Sequence, residues 1–117
     1  MQKKVSIILS TYNEASVIED TINKIFNNLE NVEIILVDDN SPDGTYEIAK
    51  KNNNPNLKVF LRSSRGLASA FLVGLINSSG NVVGWLDSNM GSLANRLPEM
   101  LDKLNDNDIV ILSRYVN

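Results

Sequence analysis

Val5-Ser6-Ile7-Ile8-Leu9-Ser10-Thr11-Tyr12-Asn13-Glu14 is a nearly continuous apolar run that turns abruptly polar. A strand with one wet face alternates apolar and polar residues, whereas a strand covered on both faces is apolar throughout. The same form recurs at residues 34–37, 59–61, 82–86 and 109–112, each rich in Val, Ile and Leu. Between these runs the period changes. Ile18, Ile22, Ile25, Phe26 and Leu29 recur at helical spacing, as do Leu67, Ala70, Phe71, Gly74 and Leu75. Leu97, Met100, Leu101 and Leu104 repeat the pattern, and Tyr46, Ile48 and Ala49 mark a shorter helix after Asp43-Gly44. The order βαβαβαβαβ predicts an α/β fold: a mostly parallel open sheet with helices on both sides and right-handed crossovers. Turn-rich stretches at 52–56, 78–81 and 105–108 fall between elements, where such a fold needs them.

Composition narrows the function. The chain has 117 residues, 43% hydrophobic and 21% charged, which suits one globular domain. Its net charge of -3 is spread along the chain, so nucleic-acid binding has no electrostatic support. Cysteine is absent, which removes disulfides and thiolate metal sites and suits a reducing cytoplasm. Histidine is absent too, leaving carboxylates, amides and hydroxyls for any acid–base or metal chemistry. No apolar run approaches the ~20 residues a bilayer span requires, and the apolar stretch after Met1-Gln2-Lys3-Lys4 is too short for a signal peptide.

Ligands of open α/β sheets bind outside the carboxyl ends of the strands. Polar clusters follow all five predicted strands: Ser10 to Glu14, Asp38 to Thr45, Arg62 to Gly66, Asp87-Ser88-Asn89 and Ser113-Arg114. Several carboxylates with three arginines suit a phosphorylated ligand, its sugar and base read by acids and its phosphates met by arginine or a metal. Local structure offers a plainer account of some clusters. Thr11 with Glu14 could form a capping box, Ser41 or Asp43 could cap the next helix with Pro42 in its first turn, and Gly74 reads best as close helix packing.

Taken together, the clusters resemble a family. The stretch from Val5 to Glu14 is similar to the opening strand of family-2 glycosyltransferases. Val37-Asp38-Asp39-Asn40-Ser41-Pro42-Asp43-Gly44-Thr45 is similar to the second strand end of their dolichyl- and polyprenyl-phosphate sugar transferases. Gly66-Leu67-Ala68-Ser69-Ala70 and Ser113-Arg114-Tyr115 resemble later segments of the same subgroup. The resemblance implies a GT-A, Rossmann-like nucleotide-binding half within residues 1–117, with the acceptor half outside it. It implies that Thr11, Tyr12, Glu14 and Asp39 surround base and ribose, with Arg62 near the nucleotide. Asp87 would open an Asp-x-Asp that holds Mg2+ or Mn2+ on the diphosphate, and Asp87 and Arg114 would stabilise the leaving group. The implied partners are a nucleotide-diphosphate sugar of GDP-mannose or UDP-glucose type and a lipid-phosphate acceptor. The implied setting is the cytoplasm, at the cytoplasmic face of a membrane in full-length form.

Two features depart from the family pattern: Asn89 stands at the second acid of Asp-x-Asp and offers a neutral oxygen, and the sequence is shorter than the catalytic domain the resemblance implies, while Ser10, where many relatives have proline, is a minor change. A non-catalytic nucleotide-binding fragment is therefore the alternative reading. A phosphoacceptor receiver domain shares Val37-Asp38-Asp39-Asn40. It requires an acid pair after the first strand, an aspartate after the third and a lysine after the fifth, where this chain has Thr11 to Glu14, Arg62 and Ser113-Arg114.

Overall fold

A computed structural model describes residues 4–63, 67–87 and 94–103. Among the described residues four strands and four helices alternate: β1 (Val5–Thr11), α1 (Ile18–Asn28), β2 (Val32–Asp38), α2 (Thr45–Lys50), β3 (Leu57–Leu61), α3 (Leu67–Ile76), β4 (Val82–Asp87) and α4 (Leu97–Lys103). The described strands form one parallel sheet in the order β3-β2-β1-β4. The two central strands, β1 and β2, are apolar because their residues are sealed from both sides. Val5, Ile7 and Leu9 pack with Val32, Ile34 and Leu36 against α1, α2 and α4, while Ile35 and Val37 pack with Ala70 and Val73 of α3. The fifth predicted strand, residues 109–112, and Leu104 lie outside the described residues.

The α1 helix buries Ile18, Thr21, Ile22 and Ile25 on one stripe, with Glu19 and Asp20 in its first turn, where the helix dipole favours acids. Burial of each isoleucine contributes about 1.5–3 kcal/mol. Gly74 admits α3 to the sheet: a Cβ there would lie 2.4 Å from Ile8 Cγ2. Covering is incomplete on this face. Leu72, Leu75 and Ile76 of α3 and Val83 and Trp85 of β4 remain exposed, with Phe71 and Trp85 stacked at 4.9 Å between ring centroids.

The amino end of the sheet is held by one buried carboxylate. Glu33 accepts hydrogen bonds from Ser6 Oγ (2.5 Å), the Ser79 N–H (2.6 Å) and Ser79 Oγ (2.9 Å), and Lys58 Nζ lies 3.2 Å away. The turn after α3 is thereby tied to β1 and β2, and the Gly80 N–H closes it on Ser6 Oγ at 2.8 Å. Burial pushes the Glu33 carboxyl upward, but the bonds from Ser6, Ser79 and Lys58 outweigh it and hold the group at about 2.

A depressed folded-state pKa contributes stability above the unfolded value of 4.5, and that contribution is lost as pH falls toward about 2. Acid titration followed by circular dichroism should therefore show stability falling across this window. Glu33→Gln should be less stable at pH 7 and flatter between pH ~5 and ~2. An equally steep acid limb in the mutant would assign the loss to other groups. Gly74→Val should cost about 1–3 kcal/mol in chemical denaturation, because Ile8 is held by β1 and cannot withdraw.

Candidate functional site at the carboxyl edge of the sheet

The strand order reverses at β1: β2 and β3 extend to one side of it and β4 lies on the other. Such a reversal opens a crevice at the carboxyl ends of the strands, between β1 and β4. The ladder fixes what borders it. Thr11 is in register with Asp38, and Ser10 with both Val37 and Asp87. Pairing continues past the strand ends, as the Asp39 N–H donates to Thr11 O (3.0 Å) and the Arg62 N–H to Asp38 O (2.8 Å). Arg62, Asp39, Thr11 and Asp87 are thus carried to one edge by the backbone, as the strand ends in the sequence predicted.

Asp38 organises this edge from below. It is fully buried and accepts hydrogen bonds from Thr11 Oγ1 (2.6 Å), Ser41 Oγ (2.7 Å) and the Ser41 N–H (2.8 Å). Three consecutive N–H groups after β1 then dock on side chains after β2. Asn13 donates to Ser41 Oγ at 2.8 Å, Glu14 to Thr45 Oγ1 at 2.9 Å and Ala15 to Asp43 Oδ2 at 3.1 Å. The Thr45 hydroxyl bond holds the Asp43 carboxyl below its ordinary value, with help from the Ala15 and Thr45 N–H groups against desolvation. Asn13 and Asn40 adopt φ of 56° and 54°, the left-handed conformation that asparagine tolerates better than most residues. Gly44 takes φ of 91° and lets the chain enter α2.

These bonds decide between the local and the functional accounts. No side chain caps α1, which starts at Ile18 after the Ile18 N–H bonds to Glu14 O, so Thr11 and Glu14 do not form a capping box. Ser41 is no helix cap either, since its hydroxyl bridges Asp38 and Asn13. Sequence reasoning passed over Ser41 and Thr45 as site-building residues. The available signal was their spacing from Asp38 and Asp43, a side-chain turn in which a hydroxyl meets an acid two or three residues earlier.

Asp39 and Arg62 form the charged part of the edge. Arg62 Nε donates to Asp39 Oδ1 at 2.8 Å, and both side chains are mostly buried, at 13% and 12% exposure. Arg62 Nη1 also donates to Ser69 Oγ on the first turn of α3. Tyr12 and Glu14, after β1, are half-buried, and the Thr11 hydroxyl is committed inward to Asp38. Asp87 ends β4 on this edge, with its side chain outside the description. Asn89 and Arg114 lie outside the described residues, as do Arg65, Gly66 and Ser113. Among the described residues no group of three or more acidic side chains could hold a metal ion, and no helix is long and apolar enough to cross a membrane.

A parallel sheet whose carboxyl edge carries acids and an arginine, with a switch point between β1 and β4, defines an open α/β protein. The model of glycosyl transferase family 2 matches residues 6–117, and the chain belongs to that family. A dolichol-phosphate mannosyltransferase of Pyrococcus furiosus is 38% identical over 118 residues, covering 97% of this chain and 34% of the relative. A cholesterol galactosyltransferase of Borreliella burgdorferi is 34% identical over 119 residues, covering 97% and 33%. The solved structure of a mannosyltransferase from Pyrobaculum calidifontis in complex with GDP-Man and Mn2+ matches with a TM-score of 0.70 at 27% identity, covering 83% of this chain and 32% of that one. The chain spans about one third of the length of these three proteins.

Thr11→Val keeps the shape but removes a donor to a buried carboxyl. It should cost about 1–3 kcal/mol in denaturant melts. An unchanged midpoint would show that Ser41 alone satisfies Asp38.

Proposed function

We propose that this chain is the nucleotide-sugar-binding part of a glycosyltransferase domain, one that serves inverting transfer from a GDP-mannose- or UDP-glucose-type donor to a polyprenyl or dolichyl phosphate. The observation that carries the proposal is the parallel register, which brings the ends of β1, β2, β3 and β4 to a single edge with Asp39 and Arg62 ion-paired on it. Tyr12, Glu14 and Asp39 read base and ribose, with Arg62 beside them. Thr11 contributes from beneath, by holding Asp38 and so the loop that carries Asp39. The dolichol-phosphate mannosyltransferase relative and the GDP-Man complex of the neighbour support donor and acceptor of this class. A cytoplasmic location, at a membrane face, belongs to the same proposal.

The chemistry asks little of the protein by way of proton transfer. An acceptor phosphate is already ionised at neutral pH, so attack on the anomeric carbon needs no general base. Inversion follows from in-line displacement. What must be stabilised is the diphosphate as it leaves, and Arg114 carries a charge suited to that work. Asp87 and Asn89 would hold a divalent cation, Mg2+ or Mn2+, which when bound neutralises the diphosphate. The donors fit in kind, since β4 delivers Asp87 to the carboxyl edge and both residues offer hard oxygen. Asn89 contributes a dipole where a carboxylate would contribute a full charge.

Calorimetric titration with GDP, GDP-mannose, UDP and UDP-glucose, with and without Mn2+, tests this reading. Saturable binding of one base series is expected, and no binding of any of the four would sink it. Asp39→Ala should weaken that binding by roughly tenfold or more, the loss of a hydrogen bond to a charged group. Asn89→Asp should increase the Mn2+-dependent part of the affinity. An unchanged metal response would remove Asn89 from the cation site.

A further inference from the structure

The nucleotide assignment gives no role to the contact between Arg62 and Ser69. Arg62 stands between two partners: its Nε meets Asp39 Oδ1 at the end of β2, and its Nη1 meets Ser69 Oγ in α3. Three elements that are distant in sequence meet through one guanidinium. The backbone fixes where each end of this chain begins. Arg62 is pinned by its N–H on Asp38 O, and Asp39 by its N–H on Thr11 O. Ser69 rides on α3, which is seated against the sheet through Ala70 and Gly74.

A guanidinium is a rigid planar fork, so fixing one nitrogen restricts the direction of the others. A hydroxyl on a seated helix is therefore able to set the plane of Arg62, and with it the rotamer of Asp39. We propose that Ser69 is a positioning residue for nucleotide recognition, acting through Arg62 on the carboxylate of Asp39. The inference rests on the assignment of Asp39 to the base and ribose made above. Ser69 itself touches no ligand in this account. It acts by preorganisation: it narrows the orientations of a charged pair before the nucleotide arrives, which reduces the ordering cost of binding. The pair is mostly buried, at 13% and 12% exposure, so water screens it less than it would a surface pair. A small change in its geometry is therefore felt.

The test is a double-mutant cycle on the whole 117-residue chain, with GDP and UDP as probes in calorimetry and melting temperature as a control for folding. Asp39→Asn should weaken binding by about tenfold. Ser69→Ala should weaken it by about three- to tenfold, with little change in melting temperature, and Ser69→Thr, which keeps the hydroxyl, should restore it. In the Asp39→Asn background, Ser69→Ala should have no further effect, because the group it positions is already altered. Two results would overturn the proposal while leaving the site assignment intact. One is Ser69→Ala binding as tightly as the parent. The other is an equal loss from Ser69→Ala in both backgrounds, which would mean that Ser69 acts independently of Asp39. Unchanged affinity in Asp39→Asn would instead remove Asp39 from the nucleotide site, and the relay with it.

Discussion

Everything at the carboxyl edge depends on a carboxyl group that the solvent cannot reach. Asp38 ends an apolar strand with no exposed surface, and a polar group in that position is destabilising unless its hydrogen bonds are made inside the protein. Thr11 and Ser41 make them, and in doing so they join the end of β1 to the loop after β2. The loop is then in place to receive the N–H groups of Asn13, Glu14 and Ala15. The two adjacent acids thus divide the labour: Asp38 builds the platform, and Asp39 stands on it with Arg62. A ligand site made of loops gains from such cross-bracing, since loops that must be ordered on binding subtract from affinity.

The opposite end of the sheet is arranged on the same principle with different residues. Glu33 at the amino end collects Ser6, Ser79 and Lys58, and it fastens the turn after α3 to the first two strands. The sheet is therefore pinned at both margins by a buried acid. The helices between are seated by apolar packing, α1 through Ile18, Ile22 and Ile25. One consequence is that α3, whose two ends adjoin the Arg62 contact and the Glu33 turn, is located along the sheet by polar bonds at its termini. Gly74 lets its middle approach closely.

Most of the architecture was legible because β1 and β2 are buried on both faces and write that fact as continuous apolar runs, a pattern that β4 shares although Val83 and Trp85 stay exposed. The helices were legible from the spacing of Ile18, Ile22 and Ile25 and of Leu97, Met100 and Leu101. The edge was legible only in part. That Asp39, Arg62 and Asp87 share one margin follows from parallel order, which the pattern predicts. That Thr11 turns inward does not follow, because a threonine at a strand end reads the same whether its hydroxyl meets water, a helix or Asp38. Ser41 reads as capping material for the same reason: a hydroxyl beside a helix start caps it in most settings, and here tertiary contacts compete successfully for it. Ser69 and Glu33 gave no local signal. Their partners lie at Arg62, Ser6 and Ser79, and only the folded chain brings these together.

The single tryptophan of the chain lies on β4, two residues before Asp87. Trp85 donates its indole N–H to Ser10 Oγ at 3.0 Å, stacks on Phe71 and keeps 41% of its surface exposed. Ser10 is itself in register with Asp87, so the indole is bonded to the strand residue that borders the crevice. Indole emission depends on the polarity around the ring and on its hydrogen bonding. The protein therefore carries an optical probe at the margin proposed above for the metal and diphosphate, with no second tryptophan to dilute the signal.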